Sequence, residues 1–209
     1  EPLIILSAIY IKKKNLDEAL KVLNRAESIS PESPIILYQT GSIYYYKNDW
    51  KYVSYFDRLH DITLQKNPDE YAKYIKAYKI LVNAHFEKKK YYRVVEISDS
   101  LLKHTSDYEV LLLSGKSSFY LEKYDRAIER FEKISLKNND QLFLAIAYAR
   151  TGRKEKSIQI LKRIITDPAI RREALKDRDL KLYIEEIDRQ NAQVNRQNQE
   201  QKNKNSDQK

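Results

Sequence analysis

Five stretches of this chain carry one pattern of small and large apolar residues, and the pattern returns at a nearly fixed distance. Its small or β-branched member falls at Ala19, Val53, Val94, Ala127 and Ser157, at separations of 34, 41, 33 and 30 residues. A period of this size belongs to a unit of two helices and a turn, which cannot bury its apolar face alone and must stack on its neighbours. The clearest copy is Gly115–Ile134: Ala127, Phe131 and Ile134 lie at i, i+4 and i+7 on one helix face, and Tyr124-Asp125 supplies the turn and helix start. The N-terminal copy sets Leu3, Leu6 and Tyr10 before a turn at Asn15-Leu16-Asp17, then Ala19, Leu23 and Ala26. A third copy runs through Leu142, Ala145 and Tyr148, turns at Thr151-Gly152-Arg153, and continues through Ser157, Leu161 and Ile164.

Composition agrees with a helical chain. Of 209 residues only 3 are Gly and 5 are Pro, too few turn formers for a many-stranded sandwich or barrel. Pro31, Pro34, Pro68 and Pro168 fall between the expected helix pairs or at helix starts, and Pro2 opens the first helix. The separation of 41 implies about seven extra residues near His60–Glu70, as a longer helix or a loop around Asn67-Pro68. In that copy Asp57 stands where a large apolar residue is expected, with Phe56 available in a register shifted by one. His85 occupies a position held elsewhere by Tyr and reads as a packed core histidine.

The residues quoted resemble the tetratricopeptide repeat: a large residue, Leu-Gly, Tyr, then after the turn Ala, Phe, Ala and a closing Pro. Gly41 and Gly115 fall on its Gly position, and Tyr10, Tyr44 and Tyr148 on its Tyr position. The resemblance implies an all-α fold, an α-α superhelix of antiparallel helix pairs. Five repeats are expected over residues 1–33, 34–70, 71–105, 106–137 and 138–168, within one domain of residues 1–168. Residues 169–189 are expected to form capping helices. Residues 190–209, with eleven Gln or Asn, read as a polar tail, either disordered or a fraying helix extension.

In that family the first helix of each pair lines a groove, so the resemblance marks Tyr38, Ser42, Tyr45 and Tyr46 as candidate binding residues of the second repeat. Lys76, Lys79, Asn83 and Phe86 follow from the third, Lys116, Phe119 and Tyr120 from the fourth, and Arg150 from the fifth, where Leu142 and Ile146 share the face. Aromatics interleaved with cations suit a protein partner, a peptide or helix with apolar and acidic residues. The other reading of Tyr45, Tyr46, Phe119 and Tyr120 is packing between repeats. Lys79 and Asn83 match the first pair of a carboxylate clamp found in some members, but Leu113, Asn139 and Phe143 stand at its later positions.

Neither catalysis nor a metal or cofactor is expected. The chain has no cysteine, and His60, His85 and His104 lack zinc-type spacing. There is no Gly-rich phosphate loop and no nucleophile elbow. The function expected is therefore that of a bacterial protein-interaction scaffold or adaptor, in the assembly of a larger complex. The net charge of +9 supports an alternative, an RNA- or anionic-surface-binding repeat using Lys76, Lys79, Lys116 and Lys88-Lys89-Lys90. The longest apolar run, Leu142–Ala149, is too short to span a bilayer. The chain lacks Met and opens inside an expected helix, which reads as a trimmed N-terminus and leaves both cytoplasm and cell envelope open. Leu3, Ile5 and Ile9 leave the first repeat with an uncapped apolar side, suited to further repeats or to self-association.

Overall fold

The computed structural model describes residues 1–206, with side chains to Gln201, and every regular element among them is helical. Adjacent antiparallel pairs follow one another: α1 (Pro2–Lys12) with α2 (Leu16–Ile29), α3 (Pro34–Tyr46) with α4 (Lys51–Lys66), and α5 (Ile75–Glu87) with α6 (Tyr91–Leu101). Next come α7 (Tyr108–Tyr120) and α8 (Tyr124–Phe131), α9 (Asn138–Arg150) and α10 (Lys154–Ile164), then α11 (Pro168–Ala174) and α12 (Arg178–Ser206). The chain divides into two compact units, Glu1–Leu113 and Ser114–Lys209, and the division falls inside α7 rather than between repeats.

One turn geometry joins the two helices of each of the first five pairs. Lys14, Asn48, Lys89, Glu122 and Gly152 have positive φ, between 54° and 73°, and each stands five residues before the small residue of its repeat. The residue after it reaches back to the helix that has just ended: the amides of Asn15, Asp49, Lys90, Lys123 and Arg153 donate to the carbonyls of Tyr10, Tyr44, His85, Ser118 and Tyr148, at 2.8–2.9 Å. This six-to-one bond with a left-handed residue is the Schellman closure, and it satisfies carbonyls that the helix end would otherwise orphan. The periodic Tyr position thus lies at the last turn of each first helix, and the small residue one turn into the second.

In the first unit, Ala19, Leu23 and Ala26 of α2 bury against Ile36 and Ile43 of α3. Gly41 lets α4 approach α3: a Cβ there would lie 2.5 Å from the Phe56 ring and 3.2 Å from Tyr55 Cβ. Phe56 is 1% exposed, so the aromatic wedge of this repeat enters one residue early, in the shifted register. The extra residues of the 41-residue spacing lengthen the helix, as one alternative expected, and form a 3-10 helix where the other expected a loop. α4 runs to 16 residues, and a 3-10 helix, Pro68–Tyr74, follows it. Tyr71 and Tyr74 on that insertion are buried, Tyr71 against Tyr78 (centroids 4.5 Å apart) and His104 (5.2 Å), and Tyr74 against Tyr38 (5.3 Å).

Asp57 and His85, the two odd residues of the middle repeats, answer each other. His85 is 3% exposed and its Nε2 stands 3.0 Å from Asp57 Oδ1. Arg93 donates from Nε to Asp57 (2.9 Å), from Nη2 to Asp61 (2.7 Å), and lies 3.0 Å from Glu96. Burial works to raise the Asp57 pKa, but His85 and Arg93 together hold it below the ordinary carboxylate value.

In the second unit, Gly115 repeats the close approach, since a Cβ there would lie 2.5 Å from the Phe131 ring. Ser157 takes the small position of the fifth repeat and donates its hydroxyl to the Ala145 carbonyl at 2.9 Å. Ile170 and Ala174 of α11 and Leu180, Ile184 and Ile187 of α12 are buried. From Asp188 to Gln201 every side chain is exposed, and α12 continues through this polar segment to Ser206. Residues 207–209 of the segment lie outside the described residues.

Three stability measurements check this account. In urea unfolding, Gly41→Ala should cost about 1–3 kcal/mol through overpacking against Phe56. Gly152→Ala, whose Cβ would meet nothing within 4 Å, should cost only the left-handed backbone strain, about 1–2 kcal/mol. Asp57→Ala should cost about 2–3 kcal/mol by leaving Arg93 and His85 without their shared acceptor.

Candidate functional site

The first helices of the pairs hold most of the side chains that open onto hollows, and each unit has such a hollow. In the first unit Lys76, Lys79, Ile80, Asn83 and Glu87 recur every three or four residues along α5, which places them on one face. With Tyr45 of α3, Tyr52 of α4, Ala84 and Glu109 they line a hollow of about 480 Å³. The Tyr45 ring meets Tyr52 edge-on at 5.2 Å, and Tyr46, 77% exposed, lies 6.5 Å from Tyr45. Burial, with Glu87 close by, pushes the Tyr52 phenol above its ordinary pKa.

Four expected binding residues, Tyr45, Lys76, Lys79 and Asn83, therefore share one hollow. Four others in this unit, Tyr38, Ser42, Phe86 and the exposed Tyr46, lie outside its lining. Tyr38 is half-buried against Tyr74, Phe86 is half-buried with its ring 5.8 Å from Tyr91, and Ser42 is half-buried within α3. Tyr52, Glu87 and Glu109 were not anticipated. Tyr52 sits on a second helix, whereas Glu109 stands 33 residues beyond Lys76, at the same place in the next repeat, and could have been read from the period.

The second unit offers a different surface. Leu142, Phe143 and Ile146 of α9, with Ala169 and Ile170 of α11, line a mainly apolar hollow of about 380 Å³ rimmed by Asn139 and Glu173. Phe119 lies edge-on to Phe143 at 5.1 Å and to Tyr124 at 5.6 Å, which makes it a packing residue beside the hollow rather than part of its lining. Tyr120 is 47% exposed, 6.0 Å from Phe143.

Charge is where the structure departs most from the expected cationic groove. Lys79 Nζ pairs with Asp107 at 2.5 Å, Lys116 with Asp140 at 2.6 Å, and Arg150 with Asp177 at 2.5 Å and also with Asp179. Each pair joins a first helix to the start of a later one. Asp107 and Asp177 do double duty: one carboxylate oxygen accepts helix amides (Glu109 and Val110; Asp179 and Leu180) while the other meets the cation. Burial works to raise the Asp107 pKa, yet Lys79 and the amides of Val110 and Glu109 hold it below the ordinary carboxylate value. Of the four expected groove cations only Lys76 has no ion-pair partner among the described residues. Asn83 donates its side-chain amide to the Lys79 carbonyl at 3.2 Å, so neither member of the clamp-like pair is poised for a foreign carboxylate.

Because the Asp107 pKa is depressed by folding, its contribution is fully present above the unfolded value of about 3.9 and is lost as pH falls through the folded value. Melting temperature should therefore fall below about pH 4. Asp107→Asn keeps the cap and removes the charge, and should cost about 0.5–1 kcal/mol at pH 7 with a shallower acid slope.

Residues 8–48 match the family model described as TPR repeat. None of the curated proteins matches the chain. Among solved structures, the chain is similar to YrrB, described as a TPR protein with an unusual peptide-binding site, at a TM-score of 0.57 and 15% identity over 88% of this chain and 91% of that one. A structure of MamA gives 0.52 at 16% identity over 78% and 88%. A tetratricopeptide repeat protein from Parabacteroides merdae gives 0.50 at 19% over 94% and 77%. At such identities the likeness is one of fold, the TPR-like superhelical class. One stretch of the chain, residues 8–48, thus matches the TPR repeat, and the fold is of the TPR-like superhelical class.

Proposed function

We propose that this chain is a non-enzymatic scaffold or adaptor that takes up a peptide or helix of a protein partner on the exposed faces of its first helices. The observation that carries the reading is the hollow in each unit, one lined by tyrosines and polar side chains around α5, the other by Leu142, Phe143 and Ile146. Hollows lined by aromatic and aliphatic side chains with a few convergent polar groups suit apolar anchor residues. YrrB, which shares the fold, is described as having a peptide-binding site, and this supports the same class of ligand here.

The partner's anchors are apolar first and charged second. Lys79, Lys116 and Arg150 already hold carboxylates of their own chain, so an acidic partner would have to displace Asp107, Asp140 or Asp177 to reach them. Binding should accordingly depend only weakly on ionic strength. An RNA ligand would instead release counterions and lose affinity steeply with salt.

The test is a selection from a random peptide library, followed by affinity measurement on the purified chain. Peptides rich in Leu, Ile, Phe or Trp are expected, with affinity lowered at least about tenfold by Tyr45→Ala/Lys76→Glu or by Leu142→Asp, each with an unchanged melting temperature. Selected peptides whose affinity survives both variants would overturn the reading.

A further inference from the structure

The charges around the α5 hollow are not evenly spread. Near the first turn of α5, Lys76 shares the lining with Glu109, and Lys79 is held by Asp107 at 2.5 Å, so carboxylates match the cations in number. Glu87 ends the helix eleven residues beyond Lys76, about 16 Å along its axis. It is exposed, and among the described residues it has no ion-pair partner. Lys88, Lys89 and Lys90 follow it in the chain but lie outside the lining, and Lys88 Nζ sits 4.4 Å from the centre of the Trp50 ring.

Aromatic rings gather at this carboxylate end. Trp50 stacks on Tyr52 at 5.6 Å, Tyr52 meets Tyr45 edge-on at 5.2 Å, and Tyr45 and Tyr46 are 43% and 77% exposed. The charge of Glu87 is felt at the Tyr52 phenol, so carboxylate and ring are close neighbours. An aromatic face attracts a cation within about 6 Å of its centre. The cluster already does so once, with Lys88 on Trp50. No cation of the chain lies on Tyr45 or Tyr52 among the described residues.

Resting on the peptide-binding reading above, we propose that this end of the hollow takes an arginine side chain of the partner peptide. Its guanidinium lies on the Tyr45 and Tyr52 rings and pairs with the Glu87 carboxylate. Arginine suits the site better than lysine, because a planar, weakly hydrated guanidinium can stack on a ring and fork to a carboxylate at once. An acidic residue would meet Glu87 as a like charge and find Lys79 already paired. Nucleobases could use the same rings, but their phosphates would face Glu87 and Glu109 instead of the basic groove that single strands need. Ile80 and Ala84 lie between the charged ends, which leaves the middle of the hollow to the apolar anchor.

The test uses peptides selected from the random library on the wild-type chain. Arg is expected in them beside the apolar residues, and more often than Lys. Replacing that Arg by citrulline keeps its shape and removes its charge. The replacement should lower affinity about tenfold on the wild-type chain and less than about twofold on Glu87→Gln. Glu87→Gln should leave the melting temperature unchanged, since the side chain is exposed. Glu87→Arg, combined with Glu in place of the peptide's Arg, should recover affinity that either change alone loses. Selected peptides without Arg, or an Arg whose loss costs the same on both chains, would overturn the arginine anchor and leave the peptide-binding reading standing. If no peptide is selected at all, both are overturned. Mixed-sequence single-stranded RNA that binds more tightly to Glu87→Gln, with no arginine peptide recovered, would overturn the anchor in favour of base stacking.

Discussion

The left-handed turn that closes each first helix is the constraint on which the rest depends. It fixes where the chain reverses, and it does so with a backbone bond rather than with a particular side chain. Lys14, Asn48, Lys89, Glu122 and Gly152 differ in every respect except the sign of φ. Because the turn is constant, the small residue five positions later always lands where the two helices of the pair converge. The aromatic wedges, Phe56 and Phe131, then press on the bare backbone of Gly41 and Gly115. Four of the five turns carry the strain of a non-glycine residue in this region, of order 1–2 kcal/mol each, and stacking between pairs must outweigh it.

This explains why the repeat architecture was legible in the sequence. The separations between small residues equal the separations between left-handed residues, so the apolar pattern reports the turns although no turn motif is conserved in letters. Proline placement helped, because Pro2, Pro34, Pro68 and Pro168 all open helices. The early entry of Phe56 was visible for the same reason, since Asp57 could not fill a wedge position. What the sequence did not disclose was that Asp57 and His85 compensate each other across 28 residues, or that Tyr71 and Tyr74 turn an inserted segment into core.

The candidate site was legible in part. Periodicity placed Tyr45, Lys76, Lys79 and Asn83 on one surface, and they do surround one hollow. It could not tell a cation facing a guest from a cation facing its own chain. The missing partners lie 24 to 28 residues away, at Asp107, Asp140 and Asp177, and only the fold brings them near. A usable signal was nevertheless present. Aspartates just before or within the first turn of a helix are natural caps, and a cap with a second oxygen to spare is a natural counter-ion for the neighbouring first helix.

The remaining positive charge follows the turns rather than the hollows. Lys13, Lys47 and Lys88 are the C-terminal caps of α1, α3 and α5, and Lys14 and Lys89 are the left-handed residues beside two of them. A cation at a helix C-terminus meets the negative end of the helix dipole, a gain of about 0.3–1 kcal/mol each. The lysine runs that suggested an anionic ligand therefore have a sufficient role in the fold itself: Lys47 pairs with Asp17 at 2.7 Å, and Lys88 lies 4.4 Å from the centre of the Trp50 ring. Clustering at helix ends, with aspartate partners for the cations on helix faces, lets a basic chain present hollows that are not themselves cationic. On the proposed reading, recognition there rests on shape and apolar contact.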